Sequence, residues 1–390
     1  MKNQSLFIIF AITLTSALGL ASVTPALPKI ASSLSVSENQ IGLIFTFFAA
    51  PSLILTPLLG FLADIIGRKK VLIPSLFLFS FAGFGCFFAP DFNTLLILRF
   101  IEGIGASALG AINVTLIGDL FKDNQRTKIM GLNNSVLGIC TALFPILGGL
   151  LSKISWNYIF LLPLLALPVG ILSIFYLDNN FEKIEISIKT YFLNIFKQLI
   201  DIKVLGLLGI SSVGFIVLFG AYLTYTPFIL VKKFGLESFQ IGLIISSMSI
   251  FMALFSSLLG RISKKYNYKQ ILFVSIIFYA IALSIIPQIE NVFLMLIPTM
   301  LFGFAHGLTI PTIQSNLAEK FAFNQRATFM SINRMVAQIG QAVGPFIMGF
   351  VLFNSNINYV FYFASAIVIL TVVLYYLFFF KRSLWLNLNI

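Results

Sequence analysis

Four ionisable side chains lie deep inside long hydrophobic stretches of this sequence: Arg99, Glu102, His306 and Arg334. A charge in the hydrocarbon core of a membrane is costly, so such residues are rare there and usually serve a function. Arg99 and Glu102 are three residues apart, which places them on one face of a helix. Burial favours the neutral acid and a guanidinium favours the carboxylate, so a movement that separates the two groups could load a proton on Glu102. The alternative is a static ion pair in which Glu102 only neutralises Arg99.

The composition shows what surrounds these residues. Of the 390 residues, 59% are hydrophobic and 10% are charged, whereas soluble domains have about 45–50% and 25%. A helix needs roughly 20 apolar residues to cross a membrane, and a chain in lipid must satisfy its own backbone hydrogen bonds, which favours helices here. We therefore predict an all-α membrane protein with twelve transmembrane helices, at residues 6–28, 39–62, 70–89, 93–119, 129–152, 157–177, 204–230, 239–260, 269–288, 292–318, 328–352 and 357–380.

The first of these segments also resembles a signal peptide, because "MKNQSLFIIFAITLTSALGLA" has a basic start, an apolar centre and a small-residue end. A membrane span is favoured. The apolar stretch continues past Ala21 to Pro28, and removing it would leave an odd number of helices.

The positive charges predict the orientation. Most of the 25 lysines and arginines fall in loops that face the cytoplasm if both termini are cytoplasmic, as the positive-inside rule requires. The net charge of +12 therefore indicates topology and contact with anionic lipid, not nucleic-acid binding. Cys86 and Cys140 lie in apolar helices, which argues against a disulfide framework. We predict a multi-pass protein of the bacterial inner (plasma) membrane.

The chain contains an internal repeat at an offset of 200 residues, seen in "QIGLI" at 40–44 and 240–244 and in "NQR" at 124–126 and 324–326. Parallel six-helix repeats are typical of transporters that bind substrate between two halves. We predict an N-terminal half at 1–177, a cytoplasmic linker at 178–203 and a C-terminal half at 204–390. The linker is either an amphipathic helix on the inner membrane surface or a solvated segment.

The stretch "GFLADIIGRKK", Gly60 to Lys70, places an acid and three cations between the second and third helices. Asp64 ends a helix, where the helix dipole disfavours a carboxylate, so a group outside that helix should attract it. The candidates are Arg68, Arg126 and the N-terminus of helix eleven. We predict a cytoplasmic latch between the halves; the alternative is that the charges only set the topology.

This stretch is similar to the G-x-L-a-D-r-x-G-r-k signature of the major facilitator superfamily, with Gly60, Asp64, Gly67 and Arg68 in register. The whole chain resembles that family, and within it the twelve-helix drug:proton antiporters (Bcr/CflA-like). "LRFIEGIGASALG" resembles the family's helix-four motif, although the family commonly has Gln where Glu102 stands. The resemblance implies the major facilitator fold and alternating access.

Helices five and eleven carry glycines and prolines that should allow bending and close packing. "GICTALFPILGG" matches the antiporter signature of helix five only in part, and "GQAVGPFIMG" is the related stretch of helix eleven. With a glycine of helix four, the predicted bending and packing residues are Gly103, Pro145, Gly148, Gly149, Gly344 and Pro345. His306 is a second candidate for proton coupling, and its alternative role is a hydrogen bond that packs helices.

Helices one and seven face the central cavity in the family, so the resemblance implies that Thr15, Thr24, Tyr222, Tyr225 and Thr226 line a substrate cavity. Proton-driven export of drugs or small amphipathic metabolites is the favoured function. The alternative is facilitator-type uptake or proton symport of a small nutrient. An enzyme or receptor is disfavoured because the sequence lacks paired mid-membrane carboxylates and any thiol or metal cluster. We expect no cofactor, no metal site and a monomer whose partners are a small molecule, protons and lipid.

Overall fold

The computed structural model describes residues 2–121, 123–177, 202–320 and 323–377. These residues form helices and turns, without a strand among them. Twelve helices are long and apolar enough to cross a membrane, each where the sequence predicts one. They are α1 (Gln4–Ser33), α2 (Glu38–Ile66), α3 (Arg68–Cys86), α4 (Phe92–Leu120), α5 (Lys128–Ile154), α6 (Trp156–Tyr176), α7 (Val204–Phe234), α8 (Ser238–Ile262), α9 (Tyr268–Gln288), α10 (Val292–Leu317), α11 (Asn333–Phe353) and α12 (Ile357–Tyr375).

Polar caps and glycines set several helix ends. Asp91 caps the start of α4 by accepting a hydrogen bond from the backbone N–H of Thr94 at 2.9 Å, and this bond holds the pKa of Asp91 below its usual range. Gly67, with φ of 104°, separates α2 from α3. Only glycine adopts such a conformation without strain, so α3 can begin directly at Arg68.

Several helices contain segments that depart from regular α geometry, among them α1, α6 and α7. In α1, a short 3-10 turn at Thr24–Ala26 follows the first regular segment, and Pro25 within it removes a backbone donor. The first part of α6 is a 3-10 helix at Trp156–Leu165. In α7, a π turn occupies Leu218–Tyr222. Such π turns often occur at functional sites, and this one contains Tyr222, a predicted cavity residue.

The chain divides into two compact units. Unit 1 consists of Met1–Leu193 with Glu237–Ser246, and unit 2 consists of Asn194–Leu236 with Ser247–Ile390. The first turns of α8 therefore group with the N-terminal half. The predicted linker at 178–203 lies outside the described residues except for its last two positions.

The repeat in the sequence is also a repeat in helix packing. In unit 1, a Cβ on Gly103 of α4 would collide with the carbonyl oxygen of Phe48 in α2. In unit 2, a Cβ on Gly303 of α10 would lie 2.6 Å from the carbonyl oxygen of Met248 in α8. Gly103 and Gly303 are 200 residues apart, as are Phe48 and Met248. The same two helices of the repeat therefore approach each other closely in each unit.

Candidate functional site

The predicted pair in α4 is formed: Nη1 of Arg99 lies 2.8 Å from Oε2 of Glu102. Both side chains are fully buried. Nη2 of Arg99 donates a hydrogen bond to the carbonyl oxygen of Gly19 in α1. The guanidinium carbon lies 4.2 Å from the ring centre of Phe48 in α2, a favourable contact for a desolvated cation. The pair therefore ties α4 to α1 and α2.

Two polar atoms of this pair have no hydrogen-bond partner in the described part of the chain: Nε of Arg99 and Oε1 of Glu102. Oε1 lies beside Gly83 of α3, where a Cβ would stand 3.1 Å from that oxygen. Because a carboxyl group has two oxygens, a proton can occupy Oε1 while Oε2 still accepts from Arg99. The geometry thus provides a position for a proton next to a fixed positive charge.

His306 in α10 lies in an aromatic cluster, which we define as Phe215, Tyr279, Phe302 and His306. The hydroxyl of Tyr279 is hydrogen-bonded to Nδ1 of His306. The rings of Phe215 and Phe302 lie with their centres 5.4 and 6.5 Å from the imidazole centre. No ion pair found in the described ranges involves His306. This geometry favours the helix-packing role that the sequence left open.

Arg68 is the centre of the charged group at the junction of α2 and α3. Its Nη2 lies 2.7 Å from Oδ1 of Asp64 and its Nε lies 2.9 Å from Oδ2 of Asp119 in α4. Its Nη1 donates to the carbonyl oxygen of Ala63 at 2.9 Å. Although it is charged, Arg68 is buried. One guanidinium therefore joins the ends of α2 and α4.

Sequence reasoning missed Asp119 as a member of this group. A signal was available, because Glu319 stands 200 residues further on and is also acidic. The other predicted gate residues are placed differently. A Cβ on Gly60 would meet no atom within 4 Å, and Nη2 of Arg126 lies 3.2 Å from the Cβ position of Gly118. The side chains at the start of helix Phe323–Phe353, the third predicted partner of Asp64, lie outside the described residues.

The predicted packing residues of α5 make close backbone contacts. A Cβ on Gly148 would collide with the carbonyl oxygen of Ser22 in α1, and Gly149 makes the same kind of contact with the first residues of α8. The carbonyl oxygen of Pro145 lies against Gly242. A larger side chain at any of these glycines would force the helices apart.

In α11, Gly344 packs against α7. A Cβ on Gly344 would lie 2.6 Å from the carbonyl oxygen of Ile216, and one on Gly220 would lie 2.6 Å from the carbonyl oxygen of Gly344. Pro345 follows inside the same helix. The contact reaches the π turn of α7, so α11 supports the irregular part of that helix.

The predicted cavity residues Thr15, Thr24, Tyr222, Tyr225 and Thr226 are all buried. Thr15 donates to a carbonyl of its own helix at 2.8 Å. The hydroxyls of Thr24, Tyr222 and Thr226 have no hydrogen-bond partner among the described residues. A buried hydroxyl without a partner is costly, and a polar group of a ligand would satisfy it. That these residues line a cavity stays a prediction.

A second polar cluster, the amide cluster, consists of Thr13 in α1, Asn113 in α4 and Asn133 in α5. Nδ2 of Asn113 donates to Oγ1 of Thr13 at 2.5 Å, and that hydroxyl donates to Oδ1 of Asn133 at 2.5 Å. All three side chains are buried. The sequence shows asparagines in two apolar helices. It does not show that Asn113 and Asn133 meet at Thr13, because the three residues come from distant parts of the chain.

Known proteins match almost the whole chain. The family model described as Major Facilitator Superfamily matches residues 9–238 and 210–385. Multidrug resistance protein 1 of Bacillus subtilis (strain 168) is 28% identical over 373 residues, which cover 93% of each protein. The bacillibactin exporter of the same organism is 25% identical over 378 residues, which cover 94% of this chain and 93% of the relative.

A solved structure supports the fold. A mutant of the nucleoside transporter NupG has a TM-score of 0.81 and 13% identity, over 96% of this chain and 100% of that one. The predicted all-α fold with twelve transmembrane helices is confirmed. Twelve apolar helices and bacterial relatives describe a multi-pass protein of the plasma membrane that transports small molecules and is not an enzyme. The chain belongs to the Major Facilitator Superfamily.

Proposed function

We propose that the protein exports drugs or other small amphipathic molecules by alternating access, in exchange for protons. The observation that carries the proposal is the fully buried pair of Arg99 and Glu102, with Oε1 of the carboxyl left without a partner. Relatives named as a multidrug resistance protein and a bacillibactin exporter support export over uptake. Uptake or symport of a nutrient is the alternative that the experiment must distinguish.

Glu102 is the proton carrier in this proposal. A proton from outside binds Oε1 and neutralises the carboxyl group, so Arg99 loses its counter-charge although Oε2 can still accept its hydrogen bond. The Gly19 carbonyl and the rings of Phe48 and Phe160 remain in contact with the guanidinium. The unpaired buried cation then favours a conformation in which α4 is better solvated or the substrate has left. Release of the proton to the cytoplasm restores the ion pair. Arg99 thus makes the protonation of Glu102 depend on conformation.

The group around Arg68 is the cytoplasmic gate in this proposal. Arg68 holds Asp64 and Asp119 together at the ends of α2 and α4, and these contacts change when the cytoplasmic side opens. The proposal includes two cytoplasmic termini, based on the distribution of positive charges, and a monomer as the working unit.

The test is transport by the purified protein in proteoliposomes with an imposed pH difference, using a panel of cationic dyes, drugs and small nutrients. We expect cationic amphipathic compounds to be concentrated on the side that supplies protons. Glu102→Gln should still exchange substrate between the two sides but should not concentrate it. Glu102→Asp is the matched control, because it keeps a carboxyl group that can bind a proton. Uphill transport by Glu102→Gln at the wild-type level would reject the coupling role, and accumulation of a nutrient in the proton-receiving compartment would favour symport.

A further inference from the structure

The amide cluster leaves one buried polar atom unused. Oδ1 of Asn113 has no hydrogen-bond partner in the described part of the chain, although Asn113 is only 4% exposed. Its Nδ2 donates to Thr13 and lies 3.5 Å from Oδ1 of Asn133. These donor contacts fix the orientation of the Asn113 amide, so its oxygen is held as a free acceptor.

Helix packing alone does not account for this arrangement. Polar side chains often join membrane helices through hydrogen bonds, and that role explains the donors of Asn113 and Thr13. It does not explain Oδ1, because an acceptor buried without a partner costs stability. A ligand that donates a hydrogen bond would remove that cost.

The position of Asn113 relates it to the proposed proton site. Asn113 follows Glu102 by eleven residues on α4, which places the two on nearly the same face of the helix and about 16 Å apart along its axis. The cluster also uses α1 and α5, and α1 is the helix whose Gly19 binds Arg99. A polar ligand group at Asn113 would thus lie on the same helices as the ion pair without contacting it.

We propose that the amide cluster is a substrate-binding subsite that recognises the N–H group of a protonated amine through Oδ1 of Asn113. A charged donor makes a stronger hydrogen bond than a neutral one. Within the cluster, Nδ2 of Asn113 already donates to Thr13 and the Thr13 hydroxyl already donates to Asn133, so neither supplies the donor that Oδ1 of Asn113 lacks. The inference rests on the proposed export function, since it names the group of the substrate that this subsite binds.

The test compares two cations of nearly equal shape and charge. Diphenhydramine is a protonated tertiary amine with one N–H donor, and its N-methyl quaternary salt has none. Binding of each to the purified full-length protein in nanodiscs is measured by titration calorimetry, at a pH at which the amine is protonated. We expect the wild type to bind the tertiary amine about tenfold or more tightly than the quaternary salt, because only the former donates to Asn113.

The variants locate that preference. Asn113→Leu should weaken binding of the tertiary amine by about tenfold and leave binding of the quaternary salt within about twofold. Asn113→Asp, which keeps an acceptor oxygen, should retain the preference for the tertiary amine. Thr115→Val is the matched control two residues away, since the Thr115 hydroxyl donates to the carbonyl oxygen of Ile112 in its own helix.

Each outcome decides the inference. Equal weakening of both compounds by Asn113→Leu, or loss of the preference in Asn113→Asp, would overturn donor recognition at Asn113 and leave the export function standing. Binding of neither compound by the wild type would count against both proposals. If Asn113→Leu does not fold, Asn113→Ala is measured in its place against the same two compounds, and equal weakening of both would again overturn the inference.

Discussion

Helices α4 and α10 occupy equivalent positions in the two repeats but carry different chemistry. Arg99 and Glu102 in α4 correspond to Thr299 and Phe302 in α10, 200 residues further on. The first two form a buried ion pair. Thr299 instead accepts a hydrogen bond from α8 at 3.0 Å, and Phe302 packs on Tyr279 with ring centres 4.9 Å apart.

Helices α4 and α10 share the glycine that allows close packing but differ in the side chains that could bind a proton. Both helices keep a glycine against a backbone carbonyl of the neighbouring helix, because close packing of helices requires it. The side chains one turn away differ, because packing does not demand a charge there. In the proposed function, unit 1 contains the group that binds protons, and a buried hydroxyl and a buried aromatic ring occupy the equivalent positions of unit 2.

The largest expected effect is that of Arg99→Met. The variant leaves Glu102 buried without its partner, which should cost about 3–5 kcal/mol of stability and abolish uphill transport. The equivalent change in unit 2, Thr299→Met, removes two neutral hydrogen bonds, one from Ser247 and one to the Leu296 carbonyl, and should cost only about 2 kcal/mol. Thermal unfolding in detergent and transport in proteoliposomes measure both effects. Equal losses in the two variants would remove the difference between the units.

The shared framework is tested by Gly103→Ala and Gly303→Ala. Each added methyl group meets a backbone carbonyl, so each variant should lose about 1–3 kcal/mol through overpacking. Gly260→Ala is the control, because its Cβ would meet no atom within 4 Å, and it should change stability by about 0.5 kcal/mol or less. A stable Gly303→Ala beside an unstable Gly103→Ala would show that the frameworks differ.

The cytoplasmic ends differ as well, since Lys264 in the second repeat stands where the first has Asp64. Asp64→Asn should reduce turnover by roughly fivefold, because a partly exposed ion pair contributes at most about 1 kcal/mol, while membrane insertion is unchanged. Lys264→Gln, at an exposed position, should keep turnover close to that of the wild type. Initial rates normalised to the protein content of the membrane measure this. Full turnover in Asp64→Asn would reduce the stretch to a topology signal.

The smallest effect is expected in the aromatic cluster. Tyr279→Phe removes the hydrogen bond to His306 and should cost about 1 kcal/mol without changing the pH profile of transport. His306→Phe should also keep that profile, because Glu102 carries the proton in our proposal. A shifted profile in His306→Phe, with stability retained, would move proton coupling to unit 2.

Local patterns predicted what depends on neighbouring residues. The pair of Arg99 and Glu102 follows from a spacing of three on a helix. The bond between Arg68 and Asp64 spans four positions along the chain. The motif places a glycine at position 67, and the φ of 104° there explains why a glycine is needed. These contacts join residues at most four positions apart, so they can be predicted from the sequence alone.

Contacts between distant segments were not predictable in the same way. Asn113 reaches Thr13 across 100 residues, and Thr13 reaches Asn133 across 120. Asp119 joins Arg68 across 51 residues. Which side chains meet depends on the rotation and depth of each helix, and apolar composition alone does not determine either.

The sequence by itself determined the number of helices, their approximate ends and the repeat, because lipid excludes water and each long apolar stretch must therefore satisfy its backbone as a helix. It also determined that unit 1 has a charged pair at a position where unit 2 has none. The tertiary structure alone decided which atoms of that pair and of the amide cluster remain without partners. A hydrogen bond forms or fails over a few tenths of an ångström, and only the packing of three or more helices sets distances that finely.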